Sequence, residues 1–192
     1  MDGRDERDHD DLLWHGGYGE LIDNSDMRRF MTHQLTVQSP LGPLTLVESD
    51  GAIFAVNWGA AEDEHETPLL ATAAAQLHGY FFCELKAFDL PLAPAGTEFN
   101  QRVWQAMLAI PRGRTRTYGD IARALGGDPR AVGVACGANP IPILIPCHRV
   151  TAAAGALGGY SGKGGTETKR FLLELEGWRP EADLPLFRAA EG

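Results

Sequence analysis

The stretch Asn139-Pro140-Ile141-Pro142-Ile143-Leu144-Ile145-Pro146-Cys147-His148-Arg149-Val150 decides how the rest of the chain is read. Ile143, Leu144 and Ile145 read as a buried, strand-like piece bracketed by prolines. Proline fixes φ and disfavours helix for the residue before it, which predicts a stiff, extended backbone entering Cys147. A thiol held at the exit of a buried segment, with an imidazole beside it, has the form of a nucleophile with its base. Cysteine is also among the most buried residue types, so plain packing is the competing reading of the pair.

Upstream of this stretch the pattern is helical. Thr97 is a good N-cap, Glu98 suits the positive helix end, and Phe99, Val103, Trp104, Met107 and Leu108 form an apolar stripe that Pro111 closes. Residues 111–117 then read as a loop carrying Arg112, Arg114 and Arg116. It is either a solvated turn or a set of phosphate contacts, Arg114 and Arg116 being the candidates. A helix–turn–helix pattern follows. Thr117 caps a short helix with Ile121, Ala122 and Leu125 inward, Gly126-Gly127 makes the turn, and Asp128 caps a second helix with Pro129 at its first position. That second helix runs through Cys136 and stops before Asn139-Pro140. Its face of Ala and Gly is small enough to let a backbone approach a groove, which is where the second helix of such units commonly lies.

The first half reads as a sheet backed by one helix. Gln34–Val37, Pro43–Val47 and Ala52–Trp58 have strand character, with Ser49-Asp50-Gly51 as the hairpin between the last two. Pro68 opens a helix with Leu70, Ala73, Ala74, Leu77, Tyr80 and Phe81 on one face. Cys83 at its end reads as packing, and Ala87–Leu90 as a short strand leading to the Pro91–Gly96 linker. His33, His65 and His78 are scattered, so no metal site is expected. The fold class is thus an α/β N-terminal domain plus a mostly α C-terminal domain with a helix–turn–helix. The expected boundaries are an acidic disordered extension over 1–30, in which Leu12-Leu13-Trp14 could serve as an interaction segment, the α/β domain over 31–94, the C-terminal domain over 95–180, and a tail over 181–192.

Charge separates these parts. The 192-residue chain carries a net charge of −9, which by itself argues against nucleic acid. Residues 1–97, however, hold five Lys and Arg against 17 Asp and Glu, whereas residues 98–179 hold 11 against six and are net +5. The basic half is the half with the motifs, as a DNA-binding unit would be. No apolar run approaches the ~18 residues of a membrane span, so no membrane partner is expected. Three cysteines, Cys83, Cys136 and Cys147, in no metal-binding spacing, and an acidic start without a signal-peptide core, point to a reduced, cytoplasmic setting.

Asn139-Pro140 and Pro146-Cys147-His148-Arg149-Val150, followed by Gly158-Gly159-Tyr160-Ser161-Gly162 and Leu172-Leu173-Glu174-Leu175-Glu176-Gly177, resemble the O6-alkylguanine-DNA alkyltransferases. The similarity is dense from about Thr97 to Gly177 and thinner from His33 to Gly96. It implies DNA repair by direct, stoichiometric transfer of an alkyl group from O6-alkylguanine, with O4-alkylthymine a further substrate candidate, to Cys147. It implies a self-inactivating methyltransferase without metal or organic cofactor, a monomer whose partner is double-stranded DNA. By the same resemblance His148 is the base, with a water between it and Cys147, Glu176 orients His148, and Asn139 ties the recognition helix to the active-site segment. Tyr118 would rotate the target phosphate and assist the leaving guanine, and Arg130 would replace the extruded nucleotide. Arg130-Ala131-Val132-Gly133 carries that match; without it, Arg130 would pass as a salt-bridge partner of Asp128. Val150, Tyr160 and Ser161 would line the substrate pocket, Ser161 near O6 and Val150 through its backbone to the guanine edge.

The chain departs from the family pattern in a shorter Tyr118-to-Arg130 spacing, a longer Gly162–Lys169 segment, and a cysteine at position 136. Two rival functions remain on sequence grounds. A recognition protein that binds alkylated bases without repairing them would have no use for Cys147. A cysteine hydrolase would need an oxyanion hole and would leave the helix–turn–helix idle.

Overall fold

The computed structural model describes residues 32–153 and 156–179. The expectations for residues 1–30, Leu12-Leu13-Trp14 included, and for the 181–192 tail lie outside the described residues.

Three antiparallel strands, β1 (Thr32–Val37), β2 (Leu44–Ser49) and β3 (Ala52–Trp58), form a sheet in the order β1-β2-β3. Leu46 sits at its centre, paired with Leu35 on one side and Val56 on the other. A bulge between Val47 and Glu48 shifts the register on the way to the hairpin. Asp50 and Gly51 both take positive φ, 52° and 75°, the backbone that a two-residue hairpin demands.

Helix α1 (Pro68–Phe81) packs on this sheet. Thr67 caps it by accepting from the Leu70 amide, and Pro68 occupies its first turn, where no donor is missed. Leu70, Ala73, Leu77, Tyr80 and Phe81 are its buried side. Each fully buried leucine stabilises by about 1.5–3 kcal/mol relative to exposure. Cys83, expected to pack, is instead exposed with φ of 61°, because the chain turns sharply out of α1 there. The strand expected over Ala87–Leu90 is also absent. The Gln76 amide takes both backbone groups of Asp89, at 2.8 and 2.9 Å, in place of a strand partner. The chain meets the sheet two residues beyond, in a single bridge between Leu92 and Ile53.

The C-terminal residues form a helical layer. α2 (Glu98–Leu108), capped by Thr97, buries Val103, Trp104 and Met107, while Leu108 at the end of the expected stripe is 40% exposed. The Trp104 indole donates to the Ala135 carbonyl at 2.8 Å, fastening α2 to α4 (Pro129–Gly137). Between them, α3 (Tyr118–Leu125) begins with a full capping box, Thr117 and Asp120 each satisfying the other's backbone. Gly126, at φ 68°, ends α3 in the left-handed region, and Asp128 caps α4 by accepting from the Arg130 amide at 2.7 Å. The helix–turn–helix is therefore present where the caps place it.

The expected loop over 111–117 ends in a short strand, β4 (Arg116–Thr117), paired in parallel with β5 (Val150–Thr151). Arg112 is drawn inward and donates to the Leu85 and Leu175 carbonyls at 3.0 and 2.9 Å, leaving Arg114 and Arg116 exposed. α5 (Gly165–Leu175) closes the layer, with Thr168, Lys169, Leu172 and Leu173 buried. Among the described residues no helix is long and apolar enough to cross a membrane. None of them brings together three His, Cys, Asp or Glu side chains able to hold a metal ion.

Candidate active site

The 141–145 segment is buried as expected, but it is a turn and not a strand. Ile143 has φ of 75°, and the Ile145 amide donates back to the Ile141 carbonyl at 2.9 Å. Asn139 folds the segment onto itself. Its amide donates to the Ile145 carbonyl at 2.9 Å, and its carbonyl oxygen accepts from the Ile141 amide at 3.0 Å. A β-branched residue in the left-handed region is strained, and it persists only where its surroundings over-determine it. Behind the turn, the Val56 amide of β3 donates to the Pro140 carbonyl at 2.9 Å.

Cys147 opens a 3-10 helix (Cys147–Arg149) directly after this turn and is 5% exposed. It faces a cavity of about 330 Å³ lined by Tyr118, Cys136, Cys147, Tyr160, Ser161 and three glycines, Gly133, Gly137 and Gly159. Burial pushes the Cys147 thiol above its ordinary range, and the Asn139 amide, the Lys169 ammonium and the Tyr160 hydroxyl act against that push. Cys136, also in the wall, is raised to about 12 by burial and by Cys147, and stays a neutral thiol.

His148 is fully buried and is not among the residues that line this cavity. Its Nε2 lies 2.9 Å from Glu176 Oε1, and its Nδ1 has no hydrogen-bond partner among the described residues. Burial lowers the His148 pKa, Arg149 and Lys169 add to the effect, and Glu176 opposes it. The imidazole is therefore neutral, with its proton on Nε2 toward the carboxylate and a lone pair on Nδ1. Glu176, which on sequence would pass as a surface residue, is buried just beyond α5. Burial favours its protonated form, but hydrogen bonds from His148 and Arg149 outweigh it, so its pKa lies well below the usual carboxylate range. Arg149 grips it through two bonds of 2.8 Å, and the Gly113 amide adds a third contact at 3.3 Å.

Two further residues expected at the site lie outside the cavity lining. Val150 does not line the cavity; its side chain is fully buried. Its amide donates to the Cys147 carbonyl, and its carbonyl accepts from Lys169 Nζ at 2.5 Å. Arg130 does not pair with Asp128, whose carboxylate caps the backbone instead, and its guanidinium is exposed with no partner among the described residues. Tyr118 sits on the cavity wall, its hydroxyl 3.3 Å from the Gly159 carbonyl, raised to about 12 by burial and then by Cys136 and Cys147.

Sequence reasoning missed Lys169 and Arg149. Lys169 Nζ also donates to the Gly159 carbonyl at 3.0 Å and lies 5.7 Å from the Tyr118 ring centre. Burial lowers its pKa to about 8 while the two cysteines oppose that change. One signal was available: Lys169, Leu172, Leu173 and Glu176 fall at i, i+3, i+4 and i+7, so Lys169 lies on the apolar stripe of α5 and Glu176 continues its line at the C-cap. Arg149 carries no such signal.

Residues 98–178 match the family described as 6-O-methylguanine DNA methyltransferase, DNA binding domain, and residues 32–94 match the 6-O-methylguanine DNA methyltransferase, ribonuclease-like domain. A methylated-DNA–protein-cysteine methyltransferase of Mycobacterium tuberculosis is 48% identical over 168 residues, covering 82% of this chain and 99% of its own length. A constitutive one from Bacillus subtilis is 45% identical over 76% of this chain and 96% of its own. The crystal structure of Mycobacterium tuberculosis OGT in complex with DNA superposes with a TM-score of 0.68 at 46% identity, covering 75% of this chain and 92% of that one.

Proposed function

Because the chain belongs to the 6-O-methylguanine DNA methyltransferase family, we propose the division of labour among its residues that follows. The activity is DNA repair by transfer of an alkyl group to an internal cysteine, and the partner is DNA. The acceptor is Cys147. One observation carries this assignment: Cys147 lines a cavity bordered by α3 and α4, next in the chain to a buried histidine whose Nε2 lies 2.9 Å from the Glu176 carboxylate.

The substrate is O6-alkylguanine in double-stranded DNA, O4-alkylthymine being a second candidate for the same cavity. An O6 substituent is unreachable in the stack, so the nucleotide is rotated out at a cost of a few kcal/mol. Arg130, exposed at the start of α4, fills the space it leaves, and Arg114 and Arg116 hold phosphates. The Cys147 proton passes through a water to Nδ1 of His148, whose lone pair has no partner among the described residues. The thiolate sulfur attacks the alkyl carbon, the C–S bond forms, and the C–O6 bond breaks with its electron pair going to guanine. Tyr118 supplies the proton the leaving base takes up, and Tyr160 and Ser161 frame the base. Asn139 keeps the turn in register with α4, and Glu176 fixes the His148 tautomer. Alkyl donor and acceptor are both present in this scheme, so it consumes no metal or cofactor. The thioether has no acyl carbon for water to attack, so each molecule works once.

We read residues 31–94 and 95–180 as the two domains of a cytoplasmic monomer. The test of the acceptor uses DNA bearing a labelled O6-methyl group. Label should move to wild-type protein and to Cys136→Ser up to about one equivalent, and not to Cys147→Ser, because a hydroxyl is a far poorer nucleophile at neutral pH. Transfer by Cys147→Ser, or turnover beyond one equivalent, overturns the reading.

A further inference from the structure

Among the described residues, Glu176 receives one donor from the N-terminal half of the chain. Tyr80, on α1, is 1% exposed, and its hydroxyl donates to Glu176 Oε1 at 2.9 Å across 96 residues of sequence. Among the described residues this is the one side-chain hydrogen bond that α1 makes to residues 98–178. The ring is held from three sides. The Arg112 guanidinium lies 5.1 Å from its centre, Phe88 packs at 5.2 Å, and Phe81 meets it edge-on at 5.4 Å. A phenylalanine would fill that slot equally well, so the hydroxyl serves the carboxylate.

Resting on the roles given above to His148 and Glu176, we propose that Tyr80 is a positioning residue for the reaction: its hydroxyl occupies the Glu176 oxygen that His148 also uses and so limits how strongly the carboxylate pulls on the imidazole. Oε1 accepts from Tyr80, from His148 Nε2 and from Arg149 Nη2, while Oε2 accepts from Arg149 Nε and the Gly113 amide. An oxygen shared among three donors offers each less electron density. The charged and titratable groups around the pair are Arg149, Arg112, Lys169 and Cys147. Arg149 and Lys169 favour neutral His148, and Glu176 alone favours the imidazolium. Tyr80 does not ionise in any ordinary range, because burial and Glu176 both hold its proton in place. It is a permanent donor, and the α/β half of the molecule is thereby part of the proton relay it covers.

The sign of the effect follows. Tyr80→Phe removes a donor from Oε1 and makes the carboxylate a stronger partner for an imidazolium. His148 then stays protonated to higher pH, and the base form appears later as pH rises. The experiment measures the single-turnover alkyl-transfer rate against pH for wild type and Tyr80→Phe, and follows the His148 ring titration by NMR in the same proteins. Both midpoints should move up by about half a unit, a loss of roughly threefold on the acid limb with the alkaline plateau kept. Replacing Tyr80 by 3-fluorotyrosine, a stronger donor of the same shape, should move both midpoints down, and this variant serves if Tyr80→Phe folds poorly. Unmoved titration and rate midpoints, or a uniform rate loss at every pH, overturn the coupling and leave Tyr80 a packing residue. A titration that moves while the rate profile does not overturns the base role of His148 and leaves the coupling standing.

Discussion

Lys169 Nζ lies 2.5 Å from the carbonyl oxygen of Val150, the residue three positions after Cys147. The ammonium thereby stitches the strand leaving the nucleophile to the Gly159 carbonyl on the facing loop, 3.0 Å away. It is a fully buried cation beside a thiol that must ionise. Lys169→Met should raise the Cys147 pKa and slow alkyl transfer at neutral pH by about tenfold per unit of that rise. Thiol titration with a small alkylating reagent checks it, and an unchanged pH profile would exclude an electrostatic role.

Duplex repair should separate the arginines. Arg130→Ala should slow transfer from duplex DNA far more than from free O6-alkylguanine, because only the duplex requires extrusion. Arg114→Ala and Arg116→Ala should weaken binding to all sequences alike and flatten its dependence on salt. Parallel rate and salt-titration measurements distinguish the two behaviours.

Acid should destabilise the fold in two stages of the same sign. The His148 and Glu176 pKa values both lie below their ordinary ones. Each group therefore contributes stability that is complete above its unfolded pKa and lost as pH falls below it. The loss should begin near pH ~6.5 with histidine and steepen below ~4.3 with the carboxylate. Denaturant midpoints across pH check this, and Glu176→Gln should remove the second stage.

Asn139→Ala should cost about 1–3 kcal/mol, since it strips the Ile141 amide of its partner and leaves the Ile145 carbonyl only the Cys147 amide. The strained Ile143 backbone depends on those bonds, so the transfer rate should fall with stability. Chemical denaturation and single-turnover kinetics on one preparation test both.

Helices with clear terminal signals were readable from sequence: Thr97, Thr117, and Asp128 with Pro129 each cap a helix that starts where they stand. The turn at Ile143 was not, because its geometry is imposed by Asn139 and the packing around it, and a short apolar run gives no period to contradict a strand. Ala87–Leu90 failed for a related reason, its backbone being satisfied by Gln76 from α1. At the site, chain order led to Cys147 and His148, which are adjacent. Tyr80, Arg149 and Glu176 converge only after folding, and nothing local in Tyr80 hints at a partner 96 residues away.

Gly133, Gly137 and Gly159 border the cavity, and a Cβ at any of them would meet nothing within 4 Å. None has positive φ, so neither backbone nor packing calls for glycine there. Gly133 lies inside α4, where alanine is better by up to about 1 kcal/mol. Robustness and breadth therefore pull this helix in opposite directions. Each methyl group added along its inner face should make the scaffold firmer and the cavity smaller, giving a graded series of acceptors with progressively less room for the transferred group.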